Sequence, residues 1–184
     1  MRRFLLVVVL LTCARDLRAT VLLPAEFREI VAGSEVIVYG RIASVRSEWS
    51  GDRRRIDTVV TAAAGSYWKG GPAATVTFRV PGGQIGRYRN VIVGAPSFQP
   101  GEEVVLFLSA GGPSVAHVFG LNQGVFRVHV DPRTGQRLVV PPVLMAQGDE
   151  PRVVTRGDRT RREVDLDAFA ARVRTAMAPA RGAR

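Results

Sequence analysis

Cysteine is nearly absent from this 184-residue chain: Cys13 is the only one. Lysine is as scarce, since Lys69 stands alone beside 25 arginines, and the histidines are two, His117 and His129. One cysteine leaves no intramolecular disulfide to constrain the unfolded state, and no cysteine-based zinc site. No apolar run approaches the about 20 residues that carry a helix across a bilayer, which argues against a single-span anchor. Also missing are H-E-x-x-H, G-x-S-x-G, a Walker loop and the Rossmann glycine pattern. With 46% hydrophobic residues the chain can still build a core, so wholesale disorder is excluded.

What is present first is an export leader. Arg2 and Arg3 precede the apolar residues 4–11, and small residues lead into the polar stretch 15–19, the pattern of a secretory signal peptide. Cleavage is expected after Ala19, giving a mature chain that begins Thr20-Val21; cleavage after Ala14 competes. Arg2-Arg3 alone lacks the rest of a twin-arginine signal, and the apolar run favours the general export route. Cys13 lies where a lipoprotein cysteine would, but Thr12 stands where Gly, Ala or Ser is preferred. The expected location is periplasmic or secreted, with lipoprotein anchoring through Cys13 as the minority reading.

The chain carries 26 Lys+Arg against 16 Asp+Glu, a net of +10. Without residues 1–19 the balance is 22 against 15, or +7. Residues 20–150 hold 13 cations and 11 acids, a net of +2, whereas 151–184 hold 9 and 4, a net of +5. The body is thus expected to be close to neutral and the tail basic.

Residues 25–33, after Pro24, read as a short amphipathic helix with Phe27, Ile30 and Val31 on one face and Gly33 at the stop. Residues 35–45 are β-branched and apolar at consecutive positions, which predicts a central strand with a bulge or bend at Gly40. Further strands are predicted at 56–63, 75–80, 90–93, 103–108, 115–121, 125–130 and 137–140, separated by Gly/Pro turns such as Pro81-Gly82-Gly83. Many short strands without intervening helices predict a mainly β fold, a small OB-like closed β-barrel with a short N-terminal helix and a C-terminal amphipathic helix. In domains, 1–19 is a signal peptide, 20–140 the barrel, 141–163 a basic, solvated connector, 164–178 the terminal helix and 179–184 a disordered tail. On that helix Leu166, Phe169, Val173 and Met177 share one face, a stripe that should dock on the barrel.

The chemistry-bearing residues are few. His129 shares a strand face with Arg127, opposite Phe126, Val128 and Val130, and reads as solvent-facing; His117 reads as a half-buried, satisfied imidazole. A hydrolase would need one of them to meet an acid brought near by folding. Glu102-Glu103 and Asp149-Glu150 are the adjacent carboxylates. Glycine-rich 81–86 lacks the Lys-Ser/Thr of a phosphate loop and reads as a loop. Dense basic clusters occur only at Arg53-Arg54-Arg55 and in 156–162; Tyr39, Tyr67, Trp68 and Tyr88 are grouped with neither, so no nucleic-acid partner is expected. Arg156-Gly157-Asp158 reads as a coincidental tripeptide in so arginine-rich a chain. No catalytic group, cofactor or metal is assigned.

Set side by side, Ser34-Glu35-Val36-Ile37-Val38-Tyr39-Gly40, Trp68-Lys69-Gly70, Pro81-Gly82-Gly83, Gly94-Ala95-Pro96, Gln99-Pro100-Gly101-Glu102-Glu103-Val104-Val105 and Gly120-Leu121-Asn122-Gln123-Gly124 resemble a group of uncharacterised exported bacterial proteins. These look like OB-fold barrels of the netrin-module type, the architecture of tissue inhibitors of metalloproteinases, over about residues 30–130. The resemblance implies a fold. Those inhibitors chelate the protease zinc through a disulfide-locked N-terminal cysteine, and a chain beginning at Thr20 has none. Thr20 and Val21 therefore remain candidate protein-contact residues through the backbone amine alone. The expectation is an exported, non-enzymatic binding module whose partner is a protein, with a secreted zinc protease as the sharpest version. The alternative is an envelope-associated structural barrel or one that binds glycans or lipids.

Overall fold

Consecutive apolar residues in a strand need cover on both faces, because successive side chains point to opposite sides. Two stretches have this texture, and the computed structural model, which describes residues 24–110, 116–142 and 162–178, buries most of the first half of one and nearly all of the other. They are β1 (Val36–Trp49) and β6 (Glu103–Ser109), antiparallel neighbours from Val36 opposite Leu108 to Arg41 opposite Glu103. The other strands are β2 (Ile56–Lys69), β3 (Thr75–Pro81), β4 (Gly83–Ile85), β5 (Tyr88–Asn90), β7 (Ala116–Val118), β8 (Val125–Val130), β9 (Arg137–Val140) and β10 (Val164–Asp165). Two α-helices, α1 (Phe27–Gly33) and α2 (Leu166–Met177), and a 3-10 turn at Leu121–Gly124 complete the described chain.

The order β1-β2-β3-β7-β6 returns to β1 through the β1–β6 pairing, so five strands close a barrel. Every pairing around it is antiparallel except β3 with β7, where Phe78 faces Ala116 and Arg79 faces His117 in parallel. β7 and β8 follow one another along the same edge of β6, and β8 then leads outward to β9 and β10. The chain is mainly β, a closed barrel with a helix toward each chain end, as its texture predicts.

Alternation along β1 and β6 divides the interior in two. Val38, Ile42, Val104, Leu106 and Leu108 point into the barrel with Val60, Phe78 and Phe98. Ile37, Val105 and Phe107 point outward, where Ile30 and Val31 of α1, Phe126 and Val139, and Phe169 and Val173 of α2 cover them. Both helices therefore meet on one outer face, with the Phe27 and Phe169 rings 5.5 Å apart. A buried side chain of this kind contributes roughly 1.5–3 kcal/mol. A charge at Leu106, which is fully buried, would remove a large share of a typical total of about 5–15 kcal/mol.

Several local expectations are corrected. β2 continues past Ala63 to Lys69, because a long β1 gives it a partner throughout. The bend at Gly40 is real: the register shifts beside it, and a Cβ there would lie 2.4 Å from the Ala63 carbonyl oxygen. Residues 83–86, expected as loop, begin with strand β4, which pairs with β5 as a hairpin. Only Asn90 of the expected strand 90–93 is in a strand; Val91, Ile92 and Val93 leave the hairpin exposed, and among the described residues no third strand joins β4 and β5. The expected strand 115–121 stops at Val118, since Gly120 and Leu121 take positive φ angles of 52° and 57° and open the 3-10 turn.

The helices also differ in detail. α1 starts at Phe27, two residues later than expected, after Glu26, whose N–H is held by the Glu29 carboxylate at 2.9 Å. Gly33 is not a left-handed stop. A Cβ there would meet the Phe119 ring at 2.4 Å, while the extended Ser34 ends the helix and its hydroxyl donates to the Ile30 carbonyl. The lone lysine finishes the cap: Lys69 Nζ donates to the Val31 carbonyl at 2.9 Å, a cation at the negative end of the helix. In α2 the buried stripe is Phe169, Ala170 and Val173; Met177 is 36% exposed and turns out of it. Val164 and Asp165, expected as the helix start, form β10 against β9, and the Asp165 carboxylate caps the Asp167 and Ala168 N–H groups.

Candidate functional site

The residues singled out from sequence do not converge. Cys13, Ala19, Thr20, Val21, Asp149, Glu150 and the Arg156-Gly157-Asp158 tripeptide lie outside the described residues, as do the connector from 143 to 161 and the tail from 179. His117 is exposed on β7 and not half-buried, since it is Ala116 and Val118 of that short strand that turn toward the barrel core. His129 is exposed as expected, but Val130 is exposed beside it at 49%, since β8 runs past the end of its cover. Folding does bring an acid to His129: Glu163 Oε2 lies 3.5 Å from Nε2, with both side chains about half exposed. Water competes for so open a pair. Among the described residues no group of three or more His, Cys, Asp or Glu side chains is gathered to hold a metal ion.

Of the adjacent carboxylates, Glu103 is the centre of a closed network. The Tyr39 hydroxyl donates to it at 2.7 Å, Arg137 Nε at 3.1 Å, and the Arg41 guanidinium pairs with its other oxygen. The Tyr39 hydrogen bond, aided by the two arginines, holds the Glu103 carboxyl below the usual range. Burial and the same contact push the Tyr39 phenol up. With its oxygens committed, Glu103 ties β1, β6 and β9 together and offers no free acid. Glu102 Oε2 is shielded from solvent with no hydrogen-bond partner among the described residues.

A different constellation forms where the β1–β2 hairpin extends beyond the barrel closure. Its turn is built on Ser50 and Asp52: the Ser50 hydroxyl donates to Asp52 Oδ1 at 2.6 Å, and the Arg54 N–H reaches the same oxygen at 3.2 Å. Those bonds, the hydroxyl's first, hold the Asp52 carboxyl below its ordinary value. Arg53 takes a φ of 54°, and the side chains of Arg53, Arg54 and Arg55 are all exposed.

The β4–β5 hairpin docks onto this extension. Gly82 N–H donates to the Ile56 carbonyl at 3.0 Å, the Thr58 hydroxyl donates to the Gly82 carbonyl, and the Ser47 hydroxyl accepts from the Gln84 N–H. Gly83 permits the approach, since a Cβ there would lie 2.6 Å from the Ser47 hydroxyl and 2.8 Å from that of Thr58. Docking sets Tyr88 edge-on to Trp49, ring centroids 5.5 Å apart at 67°. Arg87 lies over the Tyr88 ring at 5.1 Å and donates to its hydroxyl, while Arg89 is exposed on the other side. Val91, Ile92 and Val93 follow β5 into a turn in which the Ala95 N–H donates to the Ile92 carbonyl at 3.2 Å, and they are 65%, 39% and 79% exposed. The grouping read from sequence is corrected in part: Tyr88 meets Trp49, the last residue of β1 before the turn that carries Arg53–Arg55. The traces in the chain were Trp49 close before the arginine run, and the alternation Arg87-Tyr88-Arg89.

Charge follows the same division. Residues 46–57 and 79–93 together carry seven arginines and three acids, a net of +4. The rest of the described residues carries nine cations and nine acids, a net of zero. Among the described residues the excess of positive charge is thus gathered at the hairpin end. Comparison of the chain with protein families, with curated proteins and with solved structures gives no match.

Proposed function

We propose that the protein is a non-enzymatic β-barrel binding module that works through the hairpin end formed by the β1–β2 turn and the β4–β5 hairpin. The observation that carries this reading is the exposure of Trp49 and Tyr88 in contact with each other, with the exposed Val91–Val93 segment following closely after Tyr88 in the chain. Singly exposed apolar residues are ordinary, but contiguous ones ringed by polar groups mark interaction sites. Aromatic and arginine side chains are also the types that dominate interface energetics. The strand order with its parallel β3–β7 closure supports the OB-type reading, and in OB barrels the loop between the first two strands contacts ligands.

The apolar anchors suit the protein partner expected from sequence. The surrounding arginines favour the second reading, an envelope-associated, lipid-binding barrel. Inhibition of a secreted zinc protease would use the backbone amine at Thr20, and the hairpin end supports binding without it. Site-specific photo-crosslinking in cells expressing the full chain tests the reading, with the crosslinker placed at Val93 or, as the comparison, at Arg133 in the β8–β9 turn. Adducts from Val93 and not from Arg133 are expected. Equal yields at both positions, or none at Val93, would refute it.

A further inference from the structure

We propose that the hairpin end is a docking surface for a bilayer rich in anionic phospholipid. This rests on the reading of that end as the binding surface and names what it binds. Val91, Ile92 and Val93 enter the acyl boundary, Trp49 and Tyr88 lie at the headgroups, and the exposed arginines meet the phosphates.

Three observations carry it. First, the exposed apolar groups are aliphatic and consecutive, which gives a small insertable edge rather than a cupped pocket. Second, Trp and Tyr are the side chains that favour the membrane–water interface, having an apolar body and a polar end, and here the two are in contact. Third, the charge is complementary and directed. The hairpin end carries +4 while the rest of the described residues sums to zero. No acid occurs between 79 and 93, and the three between 46 and 57 are engaged or partly covered. Glu48 bridges Arg46 and Arg79, Asp52 is held in its own turn, and Asp57 is half-buried in β2. Glu26, Glu29 and Glu35 lie around α1 and the start of β1, the opposite end of that strand from Trp49. The protein therefore has a positive end to present to a negative surface, and each cation near such a surface strengthens attachment several-fold.

A single-stranded nucleic acid fits these features less well. Base stacking needs open ring faces, yet Trp49 and Tyr88 meet edge-on and Arg87 covers the Tyr88 ring. Stacking also gives the Val91–Val93 segment no role.

The test is co-sedimentation of the purified protein, expressed from the full chain and with its N-terminus sequenced, with vesicles of phosphatidylcholine alone or mixed with phosphatidylglycerol. Binding to the mixed vesicles roughly tenfold or more tighter is expected, weakening as salt is added. Trp49 emission should shift to the blue on binding, and the shift should vanish in Trp49→Phe, leaving only half-buried Trp68. Arg54→Ser/Arg55→Ser/Arg89→Ser should lose roughly tenfold or more of the binding. Arg28→Ser/Arg127→Ser/Arg133→Ser, which removes the same charge elsewhere, should keep it. Val91→Ser/Val93→Ser should bind without the full blue shift. All of these positions but Arg127 are exposed, and far-UV circular dichroism verifies that each variant is folded. Equal affinity for both vesicle types, equal loss in the two arginine sets, or binding to polyglutamate or an oligothymidylate without binding to vesicles would overturn the proposal. Protein adducts from a crosslinker at Val93 alongside failure with vesicles would sink the bilayer and leave the binding module standing.

Discussion

Replacing Phe169 by alanine asks whether α2 belongs to the folded core or merely lies beside it. Phe169 is 3% exposed, and its ring centroid is 5.0 Å from that of Phe126, 5.5 Å from Phe27, 6.0 Å from Trp68 and 6.4 Å from Phe107. Truncating a phenylalanine in such a setting costs about 3–5 kcal/mol, part transfer and part cavity. The aromatic pairs account for some of this, at about 0.5–1.5 kcal/mol each beyond their area. Against a urea slope of about 2 kcal/mol per molar, the unfolding midpoint should fall by about 2 M. The assay is urea unfolding followed by Trp68 emission in a Trp49→Phe background, since Trp68 packs on Phe169 and Trp49 sits in the hairpin end. If α2 undocks before the barrel unfolds, the fluorescence transition should precede the far-UV circular dichroism transition. A midpoint drop below about 0.5 M with unchanged slope and coincident transitions would refute the reasoning, because the four ring contacts would then carry no weight.

Two further predictions concern the frame. Glu103→Gln should cost about 1–2 kcal/mol near neutral pH, since Glu103 is 11% exposed but its arginine partners are open to screening at 60% and 49%. The folded-state pKa of Glu103 is lowered, so its contribution is present above the unfolded value of about 4.3 and is lost as pH falls through the folded value. The difference between wild type and variant in thermal midpoint should therefore close in acid; a difference that grows below pH 4 contradicts the assignment. Gly33→Ala should cost about 1–3 kcal/mol by driving a Cβ into the Phe119 ring. Gly71→Ala, where nothing lies within 4 Å of the added carbon, should be near neutral in the same melt.

The barrel was legible in the chain because two-sided apolar strands and glycine–proline turns are local signals. β1 and β6 announce burial on both faces by their own composition, and α2 announces a docked stripe by its spacing. Alternation states which face a residue occupies but not which strand lies beside it. The parallel β3–β7 closure and the docking of β4–β5 were accordingly invisible, for both depend on contacts between distant parts of the chain. Gly33 shows the same limit at one residue: a helix-terminal glycine reads as a conformational stop, whereas here it clears space for Phe119, far along the sequence.

By itself, then, the sequence determined a mainly β chain with a core large enough to close and a helix toward each end, because periodicity and turn chemistry are written in neighbouring residues. Only the tertiary structure decided where its charge and its exposed aromatics act. A net charge sums over positions and discards direction, so it could not reveal a +4 hairpin end beside a remainder of the described residues that sums to zero. Trp49 and Tyr88 become neighbours only when two glycines let one hairpin close onto another.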